Sequence, residues 1–419
     1  MLRFLTLKNI ILFIFTIPAL LGCATFNPRP VEQVPFRERA QTKTEGNVTV
    51  TAAVPSAAES RQLFGVSVYK RGVQPLWLEI ENNDEEPVYF LPIGVDPAYF
   101  SPFEASFTNH FTYWTPINDE IDRTFFQRRQ GIRIYPKSKR SGFVYTPVDE
   151  GTKEFNVDII GEDREVRTFT FFINVPGLRI DHHEVDFDSL YSREEITSYD
   201  ASGLRRALEQ LPCCTTDKEG AEEGDPLNLI VIGDGDDVLY AFVRAGWDET
   251  ETVYRTSAFK TALSFIFGGR YRYSPVSALY VFGRKQDAAL QRARETIHER
   301  NHLRLWLSPM RFEGKMVWIG QISRDIGVRF SSKTIMTHKI DPDVDETRDY
   351  LVQNLWYSQG LSRLAFVKGV GAATIDSPRY NLTGDAYFTD GLRAVLWVSS
   401  DPVDLEEIEF LQWEIPSEQ

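Results

Sequence analysis

The run from Pro226 to Asp237, PLNLIVIGDGDD, decides how the second half of this chain folds. Leu227 to Ile232 is continuously apolar and bounded by Pro226 and Gly233, as expected of a strand buried on both faces. Asp234, Asp236 and Asp237 follow where acids stabilise a helix N-terminus. Val238, Leu239, Phe242, Val243 and Trp247 then supply the apolar side of that helix. A glycine-containing turn between strand and helix suggests phosphate binding. However, three acids there repel phosphate and G-x-G-x-x-G is incomplete, which rejects a nucleotide site. Further on, the patterning predicts a helix from Ser257 to Gly268, a buried strand from Ala278 to Phe282 and a helix from Gln286 to about Glu299. Hairpin strands are expected around Trp306 and Trp318, and a helix from Glu346 to Tyr357. Segregated hairpins and helices predict a mixed α/β or α+β domain over residues 225–395. An acidic tail covers 396–419.

Before residue 225 the period is different. Leu76, Leu78 and Ile80 alternate with polar or amphipathic neighbours, as do Phe155, Val157 and Ile159, and then Phe169, Phe171, Ile173 and Val175. A two-residue period places one face on a core, so residues 61–180 read as an antiparallel β-sandwich. The chain is thus an α+β multidomain protein. Residues 96–126 are aromatic without a clean strand period. They read as an inter-strand excursion packing its own rings, or as an exposed patch that docks a partner or a membrane face. Arg123, Arg128, Arg129, Arg133, Lys137, Lys139 and Arg140 follow with no acid among them. They read as edge-strand protection, or as a contact for lipid phosphates or an acidic partner. Residues 181–224 form a connector with a short helix through Leu204, Ala207, Leu208 and Leu211, capped by Asp200 or Ser202. The adjacent Cys213 and Cys214 admit a vicinal disulfide or two thiols.

At the N-terminus, Arg3 and Lys8 precede an apolar run from Ile10 to Leu21 that is short for a membrane span and has the layout of a secretory signal. Leu20-Leu21-Gly22-Cys23 resembles the lipobox of bacterial lipoproteins. That implies a signal over residues 1–22, lipidation of Cys23 and a membrane partner. Ala24 after the cysteine implies the outer membrane, facing the periplasm. Residues 23–60, rich in Thr, Ala, Pro and Ser, read as a flexible tether. The Asn47 and Asn381 matches to the glycosylation acceptor are taken as chance in a bacterial host. A net charge of −14 excludes general nucleic-acid binding.

His298-Glu299-Arg300-Asn301-His302 fits H-E-x-x-H, which on a helix would hold zinc with the Glu as base. The following LRLW reads as a strand instead, which takes His302 off any helical face. Thr337 to Glu346 offers three alternating aspartates, but Glu346 and Val352 occupy the positions where an EF-hand needs Gly and Glu. Asp343 with Glu346 fits a capping box. A folded metal or acid–base site would instead join His302, Asp325, His338, Asp341 and Asp345. Asp181-His182-His183-Glu184 reads as an exposed polar pair of histidines.

The segments PLNLIVIG (226–233), Ala245-Gly246-Trp247, PVSALYVFGRKQD (275–287), RNHLRLW (300–306) and THKIDPDVDETRD (337–349) together resemble the LssY C-terminal-domain family. The resemblance implies envelope association, since the domain also occurs fused to membrane domains resembling lipid phosphatases. It implies no reaction. Arg300, His302, Arg304 and Trp306 match its pattern and His298 does not. It therefore directs attention to His302, Arg304, Asp325 and Arg348 as catalytic candidates and to His302, His338, Asp341 and Asp345 as ligands of a divalent metal. The expected function is a lipid-anchored envelope binding or assembly module with a protein or lipid partner. The alternative is a metal-dependent hydrolase of envelope lipid or peptide.

Overall fold

The computed structural model describes residues 26–112, 116–162, 164–178, 180, 182, 185–250, 276–293, 300–329 and 337–416, the side chains of 328, 329, 337 and 338 excepted. The expected signal and Cys23, the helix expected at 257–268 and the pair His298 and Glu299 lie outside them. The chain divides into two compact units, Met1–Val148 with Phe155–Phe171, and Asp149–Glu154 with Phe172–Gln419.

Eight strands build two four-stranded sheets: β1 (Gln41–Glu45), β2 (Val48–Ala53), β3 (Val73–Asn82), β4 (Val88–Leu91), β5 (Arg133–Ile134), β6 (Ser138–Pro147), β7 (Gly151–Ile160) and β8 (Val166–Val175). Their orders are β1-β2-β3-β6 and β5-β4-β7-β8. The pairings β1–β2, β2–β3, β3–β6, β4–β5 and β4–β7 are antiparallel. The alternation at Leu76–Ile80 and Phe155–Ile159 therefore marks real strands.

The stretch expected as a tether is folded from Phe26 onward. Val48, Val50 and Ala52 are buried, and across the hairpin Thr42 meets Thr51 at 2.9 Å and Thr44 meets Thr49 at 3.0 Å. The Thr- and Val-rich composition that suggests flexibility belongs to a β-branched hairpin with alternate residues of its second strand buried. Helix Ala57–Phe64 follows, opened by a reciprocal Ser56–Glu59 capping box. The aromatic excursion contains helices Pro102–Phe107 and Pro116–Arg128. Helix Pro116–Arg128 sends Ile121 and Phe125 into a core shared with Phe64, Phe143 and Tyr145. The Tyr145 hydroxyl donates to Phe125 O at 2.8 Å, satisfying the polar end of a fully buried ring.

The second unit is organised by a ten-stranded sheet. Its main strands are β9 (Leu229–Ile232), β10 (Asp248–Glu249), β11 (Ala288–Ala293), β12 (Arg300–Phe312), β13 (Lys315–Arg329), β14 (Thr337–Ile340), β15 (Leu361–Lys368), β16 (Leu392–Val398) and β17 (Glu409–Phe410). The order is β10-β11-β12-β13-β9-β16-β15-β17, with β14 on β13 and Thr197–Tyr199 on β12. The strand that opened the sequence argument, β9, pairs antiparallel with β13 and parallel with β16. It is buried throughout. Leu229 and Val231 face a core shared with helices Gly235–Arg244 and Val344–Tyr357, while Ile230 and Ile232 face one shared with helix Ala201–Glu209. Helices on both faces explain why the run is continuously apolar.

Three expectations change here. Residues 288–293 form β11, not a helix. The Ala- and Gln-rich composition favours helix locally, but a full ladder to β12 outweighs that preference. The strand expected from Ala278 to Phe282 is only Tyr280–Val281, because Phe282 turns the chain at φ 55°. The connector and the acidic tail both belong to the folded unit. Arg393 donates to Leu208, Leu211 and Pro212 carbonyls, tying helix Ala201–Glu209 to the sheet. Glu414 accepts from Arg205 at 2.5 Å.

Candidate functional site

Side chains along β12 alternate between the two faces of the sheet. Leu303, Leu305 and Leu307 enter the core beneath helices Gly235–Arg244 and Val344–Tyr357. Arg300, His302, Arg304 and Trp306 therefore point the other way. Register brings Gln291 of β11 opposite His302, and Ser323 and Gln321 of β13 opposite His302 and Arg304. All of these polar residues are buried, as is Asp325. A row of charged groups on an enclosed sheet face is costly unless each is paired.

The pairing is specific. His302 Nε2 lies 2.6 Å from Asp325 Oδ2. Arg300 Nη1 donates to Gln291 Oε1 at 2.7 Å, and its Nε is 3.6 Å from Asp325 Oδ2. Arg304 donates from Nη1 to Gln321 Oε1 at 2.6 Å and from Nε to Ser277 O at 3.0 Å. Asp225 joins the same field, accepting from Asn381 Nδ2 at 3.0 Å. Asn381 Oδ1 is held in turn by the amides of Thr383 and Asp385. This burial makes Asn381 part of the network and not a surface acceptor for sugar.

Burial pushes the His302 imidazole down to about 4, against the opposing pull of Asp325. The ring is therefore neutral at neutral pH. With Asp325 a carboxylate, Nε2 carries the proton and donates it, leaving Nδ1 as an acceptor. Among the described residues, neither His302 Nδ1 nor Gln321 Nε2 has a hydrogen-bond partner. Burial lowers Arg300 to about 10, so it remains a cation. Burial raises Asp225, opposed by the Arg304 charge and the Asn381 hydrogen bond. The assembly is a neutral, carboxylate-oriented histidine between two guanidiniums, with one ring nitrogen able to accept a hydrogen bond.

The other candidates fall elsewhere. On β14, His338 is opposite Val328, whereas Ser323 is the residue opposite His302. Five residues along β13 separate those positions by roughly 16 Å. Asp341 lies 3.9 Å from Arg324 Nη1, and Asp343 caps helix Val344–Tyr357 by accepting from the amides of Asp345 and Glu346. Asp345 accepts from Arg348 Nη1 at 3.2 Å, Thr389 Oγ1 at 2.8 Å and Asp390 N at 2.5 Å. Arg348 is buried and makes a two-pronged contact with Asp390 at 2.8 and 3.1 Å. It is a hub joining the helix start to the chain before β16, in a network distinct from that of His302. The Asp234 and Asp237 carboxylates at the rejected phosphate turn both meet Lys315 Nζ at 2.8 Å.

Cys213 and Cys214 are joined as a vicinal disulfide. Among the described residues, the group of three metal-type ligand atoms mutually within 4.8 Å is Cys213, Cys214 and Glu223. His182, the described member of its tetrad, lies 3.3 Å from Glu249 Oε1.

Sequence reasoning missed Asp225, Gln291, Gln321 and Asn381. Gln291 lay in a stretch read as helix, and Asn381 in a motif set aside as chance. Asp225 carried one usable signal, a lone acid directly before a buried apolar run.

The fold and this cluster define an α+β domain built on a mixed sheet with an enclosed charged row on one face. Residues 205–392 match the family model described as LssY C-terminus, so the second part of the chain carries an LssY C-terminal domain. No curated protein matches the chain.

Proposed function

We propose that this protein is a lipid-anchored envelope lipoprotein facing the periplasm, in which an LssY C-terminal domain acts as a binding or assembly module. The two sheets of the first unit are taken as the faces of an antiparallel sandwich that serves as its scaffold. One observation carries the preference for binding over metal-dependent hydrolysis. The acids and His302 proposed as ligands fall into separate networks, His302 with Asp325, Asp341 near Arg324, and Asp345 with Arg348 and Asp390. A hydrolytic metal needs several such ligands converging on one open point. The Arg300–His302–Arg304 row, enclosed and paired with Gln291, Asp325 and Gln321, supports a structural rather than a hydrolytic role for these side chains. The signal-like run and Leu20-Leu21-Gly22-Cys23 support the anchor.

Two measurements test the reading. Cys23→Ser should release the protein from membranes or leave its signal unprocessed; normal processing with unchanged membrane retention would refute the anchor. The detergent-extracted protein should lack a stoichiometric metal that depends on His302. Zinc or manganese bound one to one and lost in His302→Ala would overturn the binding reading in favour of the hydrolase.

A further inference from the structure

Eight of the seventeen exposed large apolar side chains in the described residues lie between Ile93 and Tyr135. That concentration is too high to be scattered surface, and it is connected. Phe103 and Phe107, 55% and 72% exposed, are one turn apart on helix Pro102–Phe107 and share a side. The Phe103 ring stacks on Phe126 with centroids 5.5 Å apart. The Arg129 guanidinium lies 3.7 Å from the Phe126 ring centre. Beside them a cavity of about 430 Å³ is lined by Tyr99, Pro102, Arg129, Ile132 and Arg140.

Glu104, Asp119, Glu120 and Asp122 precede Arg123 on the two helices, and beyond them the charge is one-sided. No acid occurs from Arg123 to Val148. Lys137 and Lys139 pair with Glu85 and Glu79, and Arg128 donates to backbone carbonyls. Arg123, Arg129, Arg133 and Arg140 pair with no carboxylate among the described residues. Protection of an edge strand would account for charges on β5 and β6, but not for Arg123 within a helix or for exposed phenylalanines beside it. Aromatic rings interleaved with guanidiniums that meet rings or a backbone carbonyl and no described carboxylate match the interfacial zone of a bilayer, where rings enter beneath the headgroups and arginine forks onto phosphates.

The chain's own geometry names the same occupant. Arg128 Nη2 donates to Arg29 O at 2.8 Å, so the start of the folded chain lies against the end of helix Pro116–Arg128. Six residues back to Cys23 span at most about 22 Å. We infer that this face of the first unit is a membrane-contact surface for an anionic phospholipid bilayer, with Phe103, Phe107 and Phe126 inserting and Arg123, Arg129 and Arg140 binding phosphates. The orientation argument rests on the lipid-anchor reading; the surface itself does not.

The test uses the chain from Ala24 to Gln419, which keeps every described residue and has no site for lipid. It should sediment with vesicles of phosphatidylcholine containing phosphatidylglycerol and only weakly with phosphatidylcholine alone, and added salt should release it. Phe103→Ser with Phe107→Ser, and separately Arg123→Gln with Arg129→Gln, should each weaken the partition at least about tenfold. These positions are at the surface, and unchanged circular dichroism would show the fold retained. No sedimentation with the anionic vesicles would overturn the inference and reassign the face to a protein partner. Sedimentation untouched by either variant pair would overturn it equally. Because this form lacks Cys23, failure here leaves the anchor standing, and the Cys23→Ser fractionation can fail without affecting this result.

Discussion

Replacing Arg348 by Met isolates the hub at the start of helix Val344–Tyr357. The side chain is 1% exposed and donates to Asp390 twice, to Asp345, to Asp349 and to Leu392 O. Burial alone would lower its pKa, yet the Asp390 hydrogen bonds and the charges of Asp345 and Asp349 hold it above its ordinary value. Burial also pushes Asp345 up to about 6 even with the arginine beside it. Met keeps an unbranched apolar stem, loses the guanidinium over the Phe366 ring, and leaves the buried Asp390 and the half-buried Asp345 without their cation. Removing one partner of a buried ion pair costs about 3–5 kcal/mol. In a unit of this size each kcal/mol moves the midpoint by roughly 2–4 °C, so thermal unfolding should begin roughly 6–20 °C lower. Six of the eight tryptophans lie after residue 240, so fluorescence reports mainly this unit. Adding Asp390→Asn should restore about 1–3 kcal/mol by removing the stranded charge. A midpoint lowered by less than about 3 °C in Arg348→Met would refute the hub. So would strict additivity in the double variant.

The remaining predictions concern the charged row and its surroundings. The His302 pKa falls from about 6.5 unfolded to about 4 folded, so the unfolded chain takes up the proton first as pH drops. This contribution is fully present above about pH 6.5 and is lost toward pH 4, up to about 3 kcal/mol. His302→Gln should flatten that part of the stability profile, and equal slopes from pH 7 to 4 in both proteins would contradict it. Asn381→Ala should cost about 1–3 kcal/mol in urea unfolding by leaving Asp225 without its donor, and a neutral outcome would show Asp225 otherwise satisfied. Intact-mass analysis of unreduced protein should find Cys213 and Cys214 two hydrogens lighter than after reduction, and an unchanged mass would disprove the bond.

The sequence made the strands legible wherever one physical signal dominated. The unbroken apolar run of β9 could be read because both of its faces are covered, and β7 because only alternate residues are; β3 is buried on both faces from Val73 to Leu78, and Trp77 on its apparent outer face belongs to the core with Phe36 and Phe143. Where local preference and tertiary pairing disagreed, the reading failed. Ala288–Ala293 has helix-forming residues and becomes a strand only because Arg300–Ala293 and its neighbouring rungs exist, which no local window contains. The site divided in the same way. His302, Arg304 and Asp325 stood out as charged residues in apolar strands, but their partners Gln291, Gln321 and Asn381 are uncharged amides whose role appears only in register. Joining His302 to His338 failed because the antiparallel ladder places His338 opposite Val328, five residues along β13 from the rung of His302.

The correction with most functional weight is the tether. A flexible coil over residues 23–60 would hold the first domain roughly 35 Å from its anchor, free to turn in any direction. Phe26, the first described residue, packs against the turn at Gly65, and Arg29 N donates to Gln62 O at 2.7 Å. Two residues, Ala24 and Thr25, separate Phe26 from Cys23, three steps that span at most about 11 Å. A lipid on Cys23 would then restrict the first unit to a shallow layer above the bilayer and limit its tilt. A surface held that close would need little intrinsic affinity, because such an anchor would supply the high effective concentration. Exposed phenylalanines that would invite aggregation on a freely diffusing protein are tolerable under that restraint. With Cys23 lipidated, the short link and the aromatic, arginine-rich face would act together: the first would bring a membrane within reach, and the second would give the unit a surface to meet it.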